Sequence, residues 1–311
     1  MTTTATAPGK IILFGEHAVV YRRPALAVPV NDVQATATVS KLMAVPGEIQ
    51  IEAPGIGLSS SLAALRADHP LAAAIKGTLS ALSISRPPAC TVHVESTIPV
   101  AAGLGSGAAV SVAIIRALSG FLGNPLPDEK VNSLAFEVER IHHGTPSGID
   151  NTVVCYGKPV YFVKGMPLEF VRIGWPFVVV IGDTGIPSPT KDTVGDVRRA
   201  WDSNPEKLEK IFNQIAIVVQ EARQAIECGN ISALGPLMDE NHSMLQELGV
   251  SSLELDRLTA AARGSGAQGA KLSGGGRGGN MIALVDMADA DRVAQALKSS
   301  GARRTTICRI G

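Results

Sequence analysis

Residues 99–109, Pro-Val-Ala-Ala-Gly-Leu-Gly-Ser-Gly-Ala-Ala, set three closely spaced glycines around one hydroxyl. Gly103, Gly105 and Gly107 remove side chains where a backbone must approach an anion, and they permit positive φ. Ser106 adds an oxygen that a phosphate or Mg²⁺ can use. Bare N–H groups at the start of a helix attract anions through the positive end of its dipole. The spacing is neither Walker A, since no Gly-Lys-Ser/Thr follows, nor the dinucleotide fingerprint Gly-x-Gly-x-x-Gly. Taken alone, the segment reads equally as an anion seat and as an ordinary strand-to-helix turn.

Three further clusters carry chemistry. In Ala7-Pro-Gly-Lys-Ile-Ile-Leu-Phe-Gly-Glu-His17, Lys10 enters an apolar strand, and Glu16 and His17 follow its Gly15 exit. A lysine at a strand entrance is ordinarily a solvated end. The functional reading is a cation delivered from a rigid element to a reacting oxygen, with Glu16 and His17 contacting a small polar substrate. In the second cluster, Glu139 stands near a helix C-terminus, where a carboxylate opposes the dipole. That misfit suggests a Mg²⁺ ligand, against a surface ion pair with Arg140 or Lys130. Asp150 follows a turn rich in Gly, Pro and Ser, where Asp is ordinarily a turn former. His142 and His143 find no third nitrogen or sulfur ligand at zinc spacing, which favours packing or hydrogen bonding. In the third cluster, five of the six residues from Gly274 to Gly279 are glycine, interrupted by Arg277. Each would cost roughly 1 kcal/mol inside a helix, so Gly269–Asn280 reads as a loop. Apolar elements on both sides favour a shaped binding loop over a linker.

The elements that must position these residues follow from periodicity. Strands are expected at Ile11–Gly15, Ala25–Val30, Gln34–Val39, Ile49–Ile51 and Thr91–Glu95. Helices are expected at Pro70–Leu82, Ala108–Leu122 and Glu129–His142, the last capped by Asp128. After Val153 the pattern returns to strands, at Pro159–Val163 and Val178–Gly182. From about 188 it becomes helical through Thr190–Trp201, Pro205–Gly229, Ile231–Leu248 and Ser252–Arg263. Strand Asn280–Val285, helix Ala288–Ser299 and strand Arg304–Arg309 close the chain, with Met281–Val285 and Thr305–Arg309 expected to pair in one sheet.

Equal numbers of basic and acidic residues, 28 each, give no global field to recruit nucleic acid or an anionic membrane, so phosphate binding must be local. Cys90, Cys155, Cys228 and Cys308 lack Cys-x-x-Cys spacing and read as reduced, buried thiols. The N-terminal residues are not expected to act as a secretory signal, and no apolar run is long enough for a membrane span. A soluble, cytoplasmic protein is expected.

Together, the Lys10/Glu16/His17 segment, the Gly-Leu-Gly-Ser loop and the terminal glycine-rich loop resemble the three signature motifs of the GHMP kinase superfamily. The resemblance spans nearly the whole chain. Gly15–Tyr21, His143–Asn151, Asp183-Thr-Gly-Ile and Thr190-Lys191 are most similar to the branch that phosphorylates mevalonate. Two departures stand out. Ala101 and Gly107 differ from the usual second motif, in which a second serine follows the first. Arg277 and Asn280 stand in the third motif, where glycine and cysteine are usual. Arg277 either points to solvent or reaches a phosphate as a bidentate partner.

The resemblance implies an α+β, two-domain GHMP kinase-like fold. It combines an N-terminal ribosomal protein S5 domain 2-like domain (1–170) with a C-terminal ferredoxin-like α+β domain (171–311) carrying the closing loop. It implies ATP-dependent phosphorylation of the C5 hydroxyl of mevalonate. Ala102, Gly103, Leu104, Gly105, Ser106, Gly107 and Ala108 would bind ATP, and Ser106 and Glu139 would hold Mg²⁺. Asp150 would accept the hydroxyl proton, with Lys10 keeping it ionised. Glu16, His17 and Thr184 would grip the substrate, and Ser273, Gly274, Gly275 and Gly276 would close over the phosphates. Phosphoryl transfer of this kind rests more on positioning and charge neutralisation than on proton abstraction. A homodimer is compatible with the resemblance; nucleic acid and membrane are not expected partners. Two other readings compete with this one. A kinase acting on another alcohol or on phosphomevalonate would, for the latter, need added basic residues near the acceptor, where segments 15–25 and 143–156 carry only Arg22 and Arg23. A non-catalytic sensor would be expected to have lost Lys10, Ser106, Glu139 or Asp150, all of which are present.

Overall fold

Alternating apolar residues in the first 41 positions form two long paired strands, β1 (Thr2–Phe14) and β2 (Ala25–Lys41). The computed structural model describes residues 2–99, 103–143, 146–188 and 190–311. They gather into two compact units. The first holds the residues up to Gly9, Val33–Pro99 and Gly105–Gly157; the second holds Lys10–Asp32, Gly103, Leu104 and Lys158–Gly311. The expected division at 170/171 treats the chain as two consecutive blocks, whereas these units interleave in sequence. The reason is that β1 and β2 each begin in one unit and end in the other.

In the first unit, β2 pairs antiparallel with β5 (Cys90–Ser96), and β5 pairs parallel with β3 (Ile49–Ala53). β4 (Leu58–Ser61) extends the sheet beside β3. Helices α1 (Pro70–Ala81), α2 (Ser106–Phe121), α3 (Asp128–His143) and α4 (Ile149–Tyr156) complete the unit. Small and branched apolar residues bury α2 on almost every side, so it packs against α1, α3, α4 and β5 as the central helix. Each fully buried Ile or Leu there contributes about 1.5–3 kcal/mol. The strands expected beyond Val153 form at Val160–Phe162 and Phe177–Asp183, but before them stands α4, a helix the sequence pattern does not announce. Its Val, Thr and Ile residues favour strand in isolation, but packing on α2 and α3 overrides that preference. Left-handed Gly148 and Gly157 bound the helix.

In the second unit, Ala25–Ala27 of β2 pair with β6 (Val160–Phe162), which pairs with β7 (Glu169–Phe170). A separate antiparallel sheet runs β11 (Arg304–Ile310), β8 (Phe177–Asp183), β10 (Asn280–Val285), β9 (Gly269–Ser273). The expected pairing of Met281–Val285 with Thr305–Arg309 is therefore corrected: the strands share a sheet, but β8 lies between them. β8 is buried along Phe177–Gly182, which suits a central strand better than an edge. The helices are α5 (Thr190–Ser203), α6 (Pro205–Cys228), α7 (Leu234–Glu247), α8 (Leu253–Gly264) and α9 (Ala290–Ser299). α6 is bounded by local signals at both ends. Asn204 accepts from Lys207 N–H ahead of Pro205, and left-handed Gly229 ends the helix.

β9 is the second correction to the expected elements, since Gly269–Ser273 reads as loop together with the glycines at 274–279. Its outer edge is closed by side chains from α7 and α8. Asp239 accepts from Ala270 N–H at 2.9 Å, Arg263 donates to Ala270 O at 2.7 Å, and His242 Nδ1 accepts from Leu272 N–H at 3.3 Å. Among the described residues no helix is long and apolar enough to cross a membrane. Cys90, Cys155 and Cys308 are buried, and burial pushes their thiols up to about 11, 12 and 12. Cys228 is exposed, against the expectation that all four are buried.

Candidate active site

The first unit organises one group of candidate residues around the start of α2. Gly105 adopts positive φ, +74°, as the turn into the helix requires, and Gly103, in the second unit, has φ +80°. α2 begins at Ser106 rather than Ala108, which puts the Ser106 hydroxyl in the first helical turn. Gly105 brings no side chain to cap that turn, so its amides stay available to an anion. Gly107 answers the question its departure raises. A Cβ there would stand 3.0 Å from Glu139 Oε1. The carboxylate of Glu139, only 6% exposed on α3, thus lies over the first turn of α2. There the positive end of α2 favours it, which resolves the misfit with its own helix. Arg140, the expected surface partner, instead pairs with Glu137 at 3.2 Å.

Asp150 lies in the first turn of α4, not in a loop, and is half-buried. α4 is anchored by Thr152 Oγ1 donating to Gly148 O at 2.6 Å and by Asn151 Nδ2 donating to Asn132 Oδ1 at 2.6 Å. Ala102 and the side chains of His142 and His143 lie outside the described residues.

The second unit organises the other group. Lys10 is buried rather than a solvated end, and its N–H donates to Leu104 O at 2.9 Å. Glu16 is ion-paired with Lys271 of β9, both side chains wholly buried. Nothing in the sequence reading singles out Lys271. Its signal was a lysine between Ala270 and Leu272, obscured once the segment is taken as loop. His17 has φ +60° and ψ −47°, and Ala18 N–H closes onto Glu16 O at 2.6 Å. That is a γ-turn of the rarer hand, a strained geometry costing on the order of 1–3 kcal/mol. The turn aims His17 Nε2 at Gly275 O, 3.0 Å away, so Nε2 carries the proton and donates. Burial pushes the His17 imidazole down to about 4, keeping it neutral.

The glycine-rich loop is held along its length within this unit. Ser273 Oγ accepts from Ile12 N–H and donates to Ile12 O, at 3.2 and 2.9 Å. Ser188 Oγ donates to Gly276 O at 2.9 Å, and Thr184 Oγ1 donates to Gly279 O at 2.9 Å. Gly276 has φ +78°, and a Cβ there would overlap the Val250 carbonyl oxygen. Arg277 takes neither expected course. Its guanidinium pairs with Asp196 of α5 and donates to Gly249 O at 3.2 Å, while its backbone N–H donates to Val250 O. Asn280, at the loop's end, brings its amide nitrogen to 3.9 Å from where a Gly103 Cβ would stand.

A helix start with open amides and a carboxylate laid over it suit the handling of a polyphosphate. Residues 71–158 match the family model of the GHMP kinases N terminal domain, and residues 222–303 match that of the GHMP kinases C terminal. The chain belongs to the GHMP kinase family and has its mixed α+β, two-domain fold. It is similar to the mevalonate kinase of Thermococcus gammatolerans, 39% identical over 92% of this chain and 90% of that protein. It is also similar to the crystal structure of the Methanococcus jannaschii mevalonate kinase, with TM-score 0.88 and 26% identity over 100% of this chain and 99% of that one. The L. major mevalonate kinase in complex with R-mevalonate gives TM-score 0.86 and 29% identity, covering 100% and 96% of the two chains.

Proposed function

We propose that this chain transfers the γ-phosphoryl group of ATP to the primary C5 hydroxyl of mevalonate, giving 5-phosphomevalonate. One observation carries the phosphoryl-transfer chemistry: the Glu139 carboxylate lies over the first turn of α2, where Ser106 stands and Gly107 leaves it room. Near full-length likeness to mevalonate kinases supports the acceptor.

The donor set fits Mg²⁺. Ser106 and Glu139 offer oxygens, and Mg²⁺ is typically held by one or two carboxylates together with substrate phosphates. No group of three or more His, Cys, Asp or Glu gathers among the described residues to hold a metal by itself. When bound, the ion neutralises charge on the β- and γ-phosphates. The amides of residues 102–108 hold those phosphates at the helix start. Asp150 accepts the hydroxyl proton, and Lys10 stabilises the anionic oxygen. Glu16, His17 and Thr184 orient the acceptor alcohol, and residues 273–276 cover the phosphates.

The test is ADP release measured with mevalonate, phosphomevalonate, galactose and homoserine as acceptors. Signal with mevalonate alone is expected. Signal only with another alcohol would overturn the acceptor while leaving the family intact, and ATP turnover with none would overturn the kinase reading.

A further inference from the structure

The buried pair of Glu16 and Lys271 has a geometry that packing alone does not require. Removing two charges from water is costly, and an apolar pair of similar volume commonly serves a core as well or better. The two carboxylate oxygens of Glu16 are used unequally. Oε1 is taken by the Lys271 ammonium, which also donates to Leu272 O at 2.6 Å. Oε2 is buried without a hydrogen-bond partner of ordinary geometry among the described residues. The strained turn at His17 fixes the backbone just after this carboxylate, so Glu16 is constrained from both sides.

We infer that Lys271 is a positioning residue, whose ammonium holds Glu16 ionised and turned so that Oε2 accepts a hydroxyl of the acceptor alcohol. The inference rests on the reading of Glu16 as a substrate contact. Lys271 is the charged side chain that bears on Glu16, and Gly274 N–H also favours its ionised form. Burial drives the Glu16 carboxyl up and the Lys271 ammonium down, and their attraction offsets only part of each shift. The neighbouring histidines add no charge near neutrality. His17 is held down to about 4 by burial, with Arg277 acting in the same direction. His242 of α7, which feels Asp256, Lys271 and Arg263, is also held down to about 4 by burial. Without the ammonium, Glu16 takes up a proton at higher pH, and a protonated carboxyl no longer offers the charged acceptor that Oε2 provides.

Lys271→Met keeps an unbranched side chain one atom shorter and removes its charge. A hydrogen bond to a charged group is involved, so the acceptor KM should rise about tenfold or more. The KM for ATP and kcat should stay close to wild type, and the acidic limb of kcat/KM should move toward neutral pH. The double variant E16Q/K271M removes both charges. It should recover thermal stability, keep the raised acceptor KM and lose that acidic limb. A second arm needs no acceptor: carbon-13 NMR of carboxyl-labelled glutamate in the unliganded protein, with E16Q to assign the resonance. Glu16 should titrate at higher pH in K271M than in wild type. Identical titration, or an unchanged acceptor KM in folded K271M, overturns the inference. So does a KM defect that the double variant fully reverses. If wild type fails to phosphorylate mevalonate, the proposed acceptor falls, and the carboxyl titration still decides whether Lys271 sets the charge of Glu16.

Discussion

Gly107→Ala sets two effects of opposite sign against each other. Alanine in the first turn of α2 removes the conformational penalty of glycine, a gain of at most about 1 kcal/mol. In a chain of this size that raises the melting temperature by about 2 °C. The new Cβ would stand 3.0 Å from Glu139 Oε1, so the carboxylate must retreat by a few tenths of an ångström. A misplacement of about 1 Å in a reacting constellation costs roughly 100-fold, which scales to about 3–10-fold for this retreat. We expect the Mg²⁺ concentration for half-maximal ADP release to rise by that factor, with the acceptor KM unchanged. Scanning fluorimetry and a Mg²⁺ titration at saturating ATP measure the two effects. A lower melting temperature with an unchanged Mg²⁺ requirement would refute the reasoning, because Glu139 would then serve packing at that spot and not a metal.

Three further outcomes are expected. Asp150→Asn should lower turnover by about 100-fold or more, the usual weight of a general base, while calorimetry finds nucleotide affinity within about twofold of wild type; retained turnover would remove its role. Gly276→Ala must accept both positive φ and overlap with Val250 O, so urea unfolding should show a loss above about 2 kcal/mol, and an unchanged midpoint would contradict a fastened loop. His17 and His242 are held down to about 4, against an unfolded value near 6.5. Their neutral burial is fully tolerated above pH 6.5; as pH falls from 6.5 toward 4 the unfolded chain binds protons that the folded one does not, so stability drops. By pH 5 the loss is about 2 kcal/mol per histidine, and His242→Gln should recover its share in urea unfolding at pH 7 and 5. A variant with the same pH dependence as wild type would exclude His242 as a contributor.

Legibility in the sequence followed the locality of each signal. α6 begins at Pro205 and is ended by Gly229, the two residues that bound its expected span, and its expected and observed bounds agree to one residue. The Gly103–Gly107 loop is legible for the same reason, since positive φ and a following helix are local properties. α4 and β9 are not local in this sense. The strand-favouring residues of α4 become helical because α2 and α3 surround them. β9 forms although a glycine-rich stretch follows it directly, because Asp239, Arg263 and His242 supply the bonds its edge lacks. The same limit hides Lys271, whose meaning depends on Glu16, far away in sequence. The order of the second sheet was illegible too, because alternation specifies a strand's faces and not its neighbours.

The side-chain closure of β9 has a consequence for the chemistry it supports. In a strand, moving the pairing by one residue turns every side chain to the opposite face. A slip of β9 against β10 would therefore carry the Lys271 ammonium away from Glu16 and put an apolar neighbour in its place. Asp239, His242 and Arg263 each recognise a particular backbone group of Ala270 or Leu272, and none of those contacts survives such a slip. Three polar residues on two helices thus act as register pins, and what they index is the location of a single buried charge.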